Sequence, residues 1–233
     1  IQFLLLMMCM LRAVDKHAAL LRESAADPGN EERLGAAEAP PAIISIFLGE
    51  QLEDVLEQLV STGTATHSIK GSVLETGVRT LPDFTKDATD RNRTSPFAFT
   101  GNKFEFRMVG SSRSASTTNI ILNSIVADSL CRIADELSNY KYIDDIRKKS
   151  LDICRAILQK HSRVLFSKDG YSEEWLHEAK KRGLPNIPHY LHSIDSLIAE
   201  ESVKMFERNG VYNKTELEAR VDILIEEYRK SVK

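Results

Sequence analysis

The sequence predicts an α+β fold: a few short antiparallel strands with helices, followed by a mostly helical region. Three observations predict it. In Lys103-Phe104-Glu105-Phe106-Arg107, charged and aromatic residues alternate with the two-residue period of a half-buried strand. Thr100-Gly101-Asn102 separates that run from the apolar Phe97-Ala98-Phe99, which is a hairpin signal. From Ser114 onward the apolar residues recur at helical spacing instead.

The elements follow in order. Residues 3–11 form an apolar run that continues to Leu21 as one helix, buried at first and then amphipathic. The run is too short to cross a bilayer and lacks the flanks of a signal peptide, so no membrane partner is expected. A helix this apolar needs something to pack against, and the sequence reads as a C-terminal fragment. Asp27-Pro28-Gly29-Asn30 is turn chemistry, and a loop over 31–41 ends in Pro40-Pro41. A short strand is expected over 42–48 and an amphipathic helix over 50–60; 61–89 is a polar excursion. Ile120, Ile121, Ile125, Val126, Leu130, Ile133 and Leu137 trace one apolar helical stripe. Further helices are expected over 143–160, from Ser172 as N-cap to a stop at Gly183-Leu184-Pro185, over 193–209, and over 214–230.

Composition sets bounds on function. The chain has 233 residues, 42% of them hydrophobic, enough to bury a sizeable core. A net charge of -3 leaves no basic footprint for nucleic acid. Cys9, Cys131 and Cys154 are widely spaced in apolar helical contexts and read as reduced core residues of a cytoplasmic protein.

The chemistry concentrates between Asp90 and Gly110. With Phe104 and Phe106 turned to the core, the opposite strand face presents Glu105 between Lys103 and Arg107. A carboxylate flanked by cations suits a site for a hard metal ion together with phosphate or carboxylate oxygens. Arg91 and Arg93 stand two apart just before the first strand. They read either as forks for phosphate oxygens or as a solvated cluster pairing with Asp87 and Asp90. In the loop from Arg33 to Pro41, Ala36, Ala37 and Ala39 leave Glu38 as the one large side chain near the tip. A flap carrying a carboxylate has this composition, and so does a plain surface loop. The segment from Gly110 to Ser116 matches no phosphate-loop spacing and reads as a capped helix start. His189 and His192 lack a nearby acidic partner, which argues against a zinc pair.

These pieces occur in a recognisable order. The strings GAAEAPPAIISIFLGEQL at 35–52, DRNRTSPFAFTGNKFEFRMVGSS at 90–112, FSKDGYSEEWLHEAKKRGL at 166–184 and NGVY at 209–212 resemble the glutamine synthetases, the type III branch in particular. The resemblance covers nearly the whole chain. It implies that 1–137 is the C-terminal part of the catalytic domain and that 138–233 is a helical C-terminal extension. It also implies an ATP-dependent ligase that joins glutamate and ammonia through a γ-glutamyl phosphate, uses Mg2+ or Mn2+, and assembles as a homo-oligomeric ring.

Residue by residue, Glu105 resembles the carboxylate holding the metal that bridges the nucleotide phosphates. Arg33 and Arg107 resemble the glutamate-binding arginines, with Arg107 also near the transferred phosphoryl group. Arg93 resembles the arginine that stabilises charge on that group, and Lys103 stands where many relatives have an arginine beside the nucleotide. Glu38 resembles the flap carboxylate that shields the intermediate and takes a proton from ammonium. Such chemistry needs positioned cations around anionic oxygens and a dry site with a base.

The sequence departs from the branch at several positions. Ala98 and its neighbours supply no cation where other branches have a second arginine after the Asn-Arg motif, and Ala37 stands where asparagine is expected. Glu31-Glu32 is more acidic than the expected pair before Arg33, which would weaken attraction for glutamate. The family's Glu-x-Glu strand, metal-ligand histidine and β-grasp domain are not found in the sequence, so this piece alone is expected to be inactive. The alternative is a decayed or repurposed homologue acting as a non-catalytic helical interaction module.

Overall fold

Helix α1, Gln2–Lys16, turns Met7, Met8, Leu11 and Val14 inward and packs against two later helices, α4 (Ala115–Leu137) and α5 (Ile143–His161). These contacts come from a computed structural model, which describes residues 1–36, 39–63, 65–67, 73–74, 84–85, 94–110 and 113–231. The single helix expected to Leu21 is interrupted at His17, whose φ of -113° and ψ of 28° leave the α region. Hydrogen bonding nonetheless runs through the bend, from His17 N to Ala13 O and from Leu21 N to His17 O. Helix α2, Ala18–Ser24, follows. Its Arg22 is fully buried and donates to the carbonyls of Ile187 (3.0 Å) and Pro188 (3.3 Å). The predicted turn is a 3-10 helix, Pro28–Arg33, opened by Asp27, whose side chain accepts from Gly29 N.

The strands are short: β1 Ile46–Phe47, β2 Val73–Leu74, β3 Phe84–Thr85, β4 Phe97–Phe99 and β5 Phe104–Phe106. β2 and β3 pair antiparallel with each other. The other three form one sheet in the order β1-β4-β5. β4 and β5 are the predicted antiparallel hairpin, while β1 joins β4 in parallel, so the sheet is mixed. The parallel pairing follows from the long connection between them, which includes α3, Glu50–Ser61. Phe97 is fully buried, and its ring stacks on Phe104 at 5.1 Å and tilts against Phe106 at 6.1 Å.

α4 buries Ile121, Ile125 and Ile133, together with Ser124, Asp128 and Ser129. The expected stripe also included Leu130, which is 39% exposed. Nine residues from Ile121 is half a turn off the buried seam at 3.6 residues per turn. The seam is instead completed by polar groups that find partners. Ser129 donates to Cys9 O and accepts from Arg12, and Asp128 takes Arg132 at 2.9 Å and also Arg208. For the same reason Cys131 is exposed, contrary to expectation, while Cys9 and Cys154 are buried.

The C-terminal region is tied to the strands. After α5 and the 3-10 turn Ser162–Val164, Leu165 bridges to Ile46 and Phe166 N donates to Ile46 O. Asp15 on α1 holds the end of α5, with His161 Nδ1 at 2.7 Å and Arg163 Nε at 2.8 Å. α6, Glu173–Lys181, starts at Ser172, whose hydroxyl accepts from Trp175 N, and stops at Gly183 with φ of 71°. The helix expected over 193–209 is two helices, α7 (Tyr190–Ile198) and α8 (Glu200–Arg208), divided where Ala199 takes an extended ψ of 136°. α9, Lys214–Ser231, packs on α7 and α8.

Candidate active-site wall on strand β5

β5 lies at the edge of the three-stranded sheet, and its register sets which side chains share a face. Phe106 stands opposite Phe97 and Phe104 opposite Phe99, so the aromatic side chains fill one face. Glu105 stands opposite Ala98, which in turn pairs with Phe47. On that face Ala98 and Phe47 are buried, while the Glu105 side chain is 37% exposed. The charged row therefore borders a covered floor.

Both carboxylate oxygens of Glu105 are engaged. Oε1 lies 3.1 Å from Lys103 Nζ; Oε2 accepts from Arg107 Nη2 at 3.0 Å and from Nε at 3.3 Å. These bonds, Lys103 first and Arg107 second, hold the Glu105 carboxyl below its ordinary pKa. The expected carboxylate between two cations is therefore present, preformed and ionised at neutral pH. Ala98, across the ladder from Glu105, is fully buried and supplies no cation to this face.

Arg33 ends the 3-10 turn and is exposed. The loop that follows is pinched at its base. Leu34 and Ala39 form a parallel bridge, and Gly35, at φ of 79°, donates to the carbonyls of Ala39 and Pro40. Glu38 and Ala37 lie outside the described residues, as do Arg91 and Arg93. Glu31, expected to burden the glutamate site, has another role. One oxygen of its half-buried carboxylate accepts from Tyr190 N and caps the start of α7.

The described end of the Asn-Arg-Thr-Ser motif shows an anchor that the sequence pattern did not reveal. Thr94 Oγ1 accepts from Gly170 N at 2.9 Å, and Ser95 Oγ donates to Phe97 O at 3.0 Å. Gly170 belongs to the turn before α6, which read as helix-capping chemistry alone. Its close fit is visible only in space: a Cβ there would sit 3.1 Å from Thr94 O. Ser114 caps α4 by accepting from Ser116 N at 3.2 Å, as expected of the segment from Gly110 to Ser116.

No cluster of three or more His, Cys, Asp or Glu side chains able to hold a metal occurs among the described residues. A carboxylate such as that of Glu105 is a hard oxygen donor of the kind Mg2+ takes.

Residues 150–233 match the glutamine synthetase C-terminal domain. The whole chain is 45% identical over 232 residues to a type-3 glutamine synthetase of Dictyostelium discoideum, of which it covers 31%. It is 42% identical to a glutamine synthetase of Butyrivibrio fibrisolvens, covering 33% of that protein. With one of Bacteroides fragilis (strain YCH46), 99% of the chain aligns at 38% identity and covers 32%. Over its whole length the chain is similar to the C-terminal part of glutamine synthetases. It spans about a third of the length of these curated relatives. The α+β architecture, with a small mixed sheet and a helical remainder, agrees with that family. Among the described residues no helix is long and apolar enough to cross a membrane.

Proposed function

We propose that this chain supplies one wall of the active site of an ATP-dependent glutamate–ammonia ligase, within a longer cytoplasmic polypeptide that assembles as a homo-oligomeric ring. The observation that carries the proposal is the Lys103–Glu105–Arg107 row, with both Glu105 oxygens in contact with cations. In this reading 1–137 is part of the catalytic domain and 138–233 is a helical extension. The tie of Phe166 to Ile46 and of Gly170 to Thr94 lets that extension brace the site-bearing strands.

Each residue type suits its role. Glu105 is one ligand for the Mg2+ or Mn2+ that, when bound, neutralises phosphate charge. Glu105 would hold that ion, Lys103 would face the nucleotide phosphates and Arg107 the glutamate carboxylate. Arg33 is the second contact for glutamate. Arg93 stabilises charge on the transferred phosphoryl group as the γ-carboxylate of glutamate attacks the terminal phosphorus and ADP leaves. Glu38 takes the proton from ammonium, and the resulting ammonia displaces phosphate from γ-glutamyl phosphate to form the amide. Glu31, one of the two acidic departures before Arg33, has its carboxylate engaged at the start of α7.

The test uses the longer polypeptide that carries this chain. Glu105→Gln keeps the shape but removes the charge; metal-dependent glutamine formation is expected to fall by roughly 100-fold or more. Glu38→Ala is expected to spare ATP binding while cutting amide formation. Retention of metal-dependent turnover within about threefold in Glu105→Gln would overturn the reading.

A further inference from the structure

Helix α7 begins without a cap of its own: His189, at its N-cap, makes no side-chain bond to the first turn. The open donor at Tyr190 N is met instead by the Glu31 carboxylate, from 159 positions upstream. Glu31 lies two residues before Arg33 in the 3-10 helix Pro28–Arg33. A helix this tight turns as a unit, so a bond to Glu31 also fixes where the Arg33 side chain starts.

The far end of Tyr190 reaches a second segment. Its hydroxyl accepts from Arg113 Nη2 at 3.1 Å, and the Arg113 guanidinium lies 5.6 Å from the ring centroid. Arg113 stands in the short connection between β5 and α4, six residues after Arg107, and its own N closes a turn onto Gly110 O at 3.1 Å. Arg113 Nε then returns to Asp27 Oδ2 at 4.0 Å, and Asp27 is the N-cap of the same 3-10 helix. Glu31, Tyr190, Arg113 and Asp27 thus close a circuit.

Tyr190 is a firm anchor for it. The residue is fully buried, and its ring stacks on Tyr228 of α9 at 5.8 Å. Just upstream, Arg22 adds a tie by donating to Ile187 O and Pro188 O. Arg107 is set separately by the sheet, its N donating to Pro96 O at 2.8 Å.

We propose that Tyr190 is a positioning residue for glutamate binding: it holds the segment carrying Arg33 in fixed relation to the segment that follows Arg107. The proposal rests on the reading of Arg33 and Arg107 as the two glutamate contacts. Recognition by two guanidiniums depends on the distance between them, and a fork that must first be ordered gives up binding energy. Lys103 and Glu105, assigned to nucleotide and metal, flank or stand within the β5 ladder to β4 and lie outside the circuit. Loss of the circuit therefore weakens glutamate and leaves the nucleotide alone.

The test is steady-state kinetics of the longer polypeptide that carries this chain, with glutamate and ATP varied separately. Tyr190→Phe keeps the buried ring and removes the hydroxyl; glutamate KM is expected to rise about five- to tenfold, with ATP KM and kcat within about twofold. Glu31→Ala should raise glutamate KM by a similar factor. Glu31→Gln, whose amide oxygen still accepts from Tyr190 N, should restore most of it. A role in stability alone would lower the amount of active enzyme, and so the apparent kcat, without moving KM. An unchanged glutamate KM in either Tyr190→Phe or Glu31→Ala, an equal rise in ATP KM, or no rescue by Glu31→Gln would overturn the proposal. Arg33→Ala separates the two levels. If it raises glutamate KM while Tyr190→Phe and Glu31→Ala do not, only the positioning role falls. If it leaves glutamate KM unchanged, the glutamate reading falls and the proposal with it.

Discussion

Gly170 N donates to Thr94 Oγ1 at 2.9 Å, joining the turn before α6 to the segment that leads into β4. Gly170 is buried and Thr94 half-buried, so loss of the acceptor leaves a buried donor unpaired. Thr94→Val is expected to cost about 1–3 kcal/mol in urea unfolding, and Thr94→Ser to restore most of it. Gly170→Ala should be destabilising by a smaller amount, since its Cβ would press on the Thr94 carbonyl.

Gly49 precedes α3 with φ of 89° and ψ of 153°. That region of backbone space is almost exclusive to glycine. Gly49→Ala is therefore expected to lower stability by about 1–3 kcal/mol, measured as a fall in the denaturation midpoint. A change within about 0.5 kcal/mol would mean that the turn relaxes at little cost.

Glu23 and His17, both buried on the first two helical segments, give stability opposite dependences on pH. Burial raises the Glu23 carboxyl to about 7, so the folded state holds a proton that the unfolded chain has released. Its contribution is full below the ordinary carboxyl range and is lost as pH rises through about 7. His17 is lowered to about 4 by burial, then by Lys16. Its contribution is full above the ordinary histidine range and is lost as pH falls toward 4. Each amounts to roughly 3 kcal/mol. Glu23→Gln should flatten the alkaline decline and His17→Leu the acid one, as read from melting temperature between pH 4 and 9.

The thiols should divide by burial. Cys131 is exposed, whereas Cys9 and Cys154 are buried, and desolvation pushes the Cys154 thiol up to about 11. Under native conditions an aromatic disulfide reagent should label Cys131 rapidly and the other two only after unfolding. Cys131→Ser should remove the fast phase.

Much of this structure is legible in the residues because it depends on neighbours in sequence. Phe104 and Phe106 alternate with charges, so β5 and its Lys103–Glu105–Arg107 row follow from a two-residue period. Ser172 and Gly183 delimit α6, and Ser114 opens α4, because caps satisfy backbone groups within a few residues. The order of these motifs was enough to indicate the family.

Relationships across the chain were decided only by tertiary packing. The parallel pairing of β1 with β4, the cap that Glu31 places on Tyr190, and the grip of Gly170 on Thr94 each join residues about 50 to 160 positions apart. No local period encodes them. The same holds where α4 chose its buried side. Its apolar residues permit a wide stripe, and partners on α1 and α8 for Ser129 and Asp128 selected the seam that leaves Leu130 and Cys131 in solvent. By itself, the sequence determined the elements and the charged row, since both arise from short-range stereochemistry. Packing decided which carboxylates are bonded and which one, Glu23, keeps a buried oxygen without a hydrogen bond, because satisfaction of a buried polar group depends on what the rest of the fold brings to it.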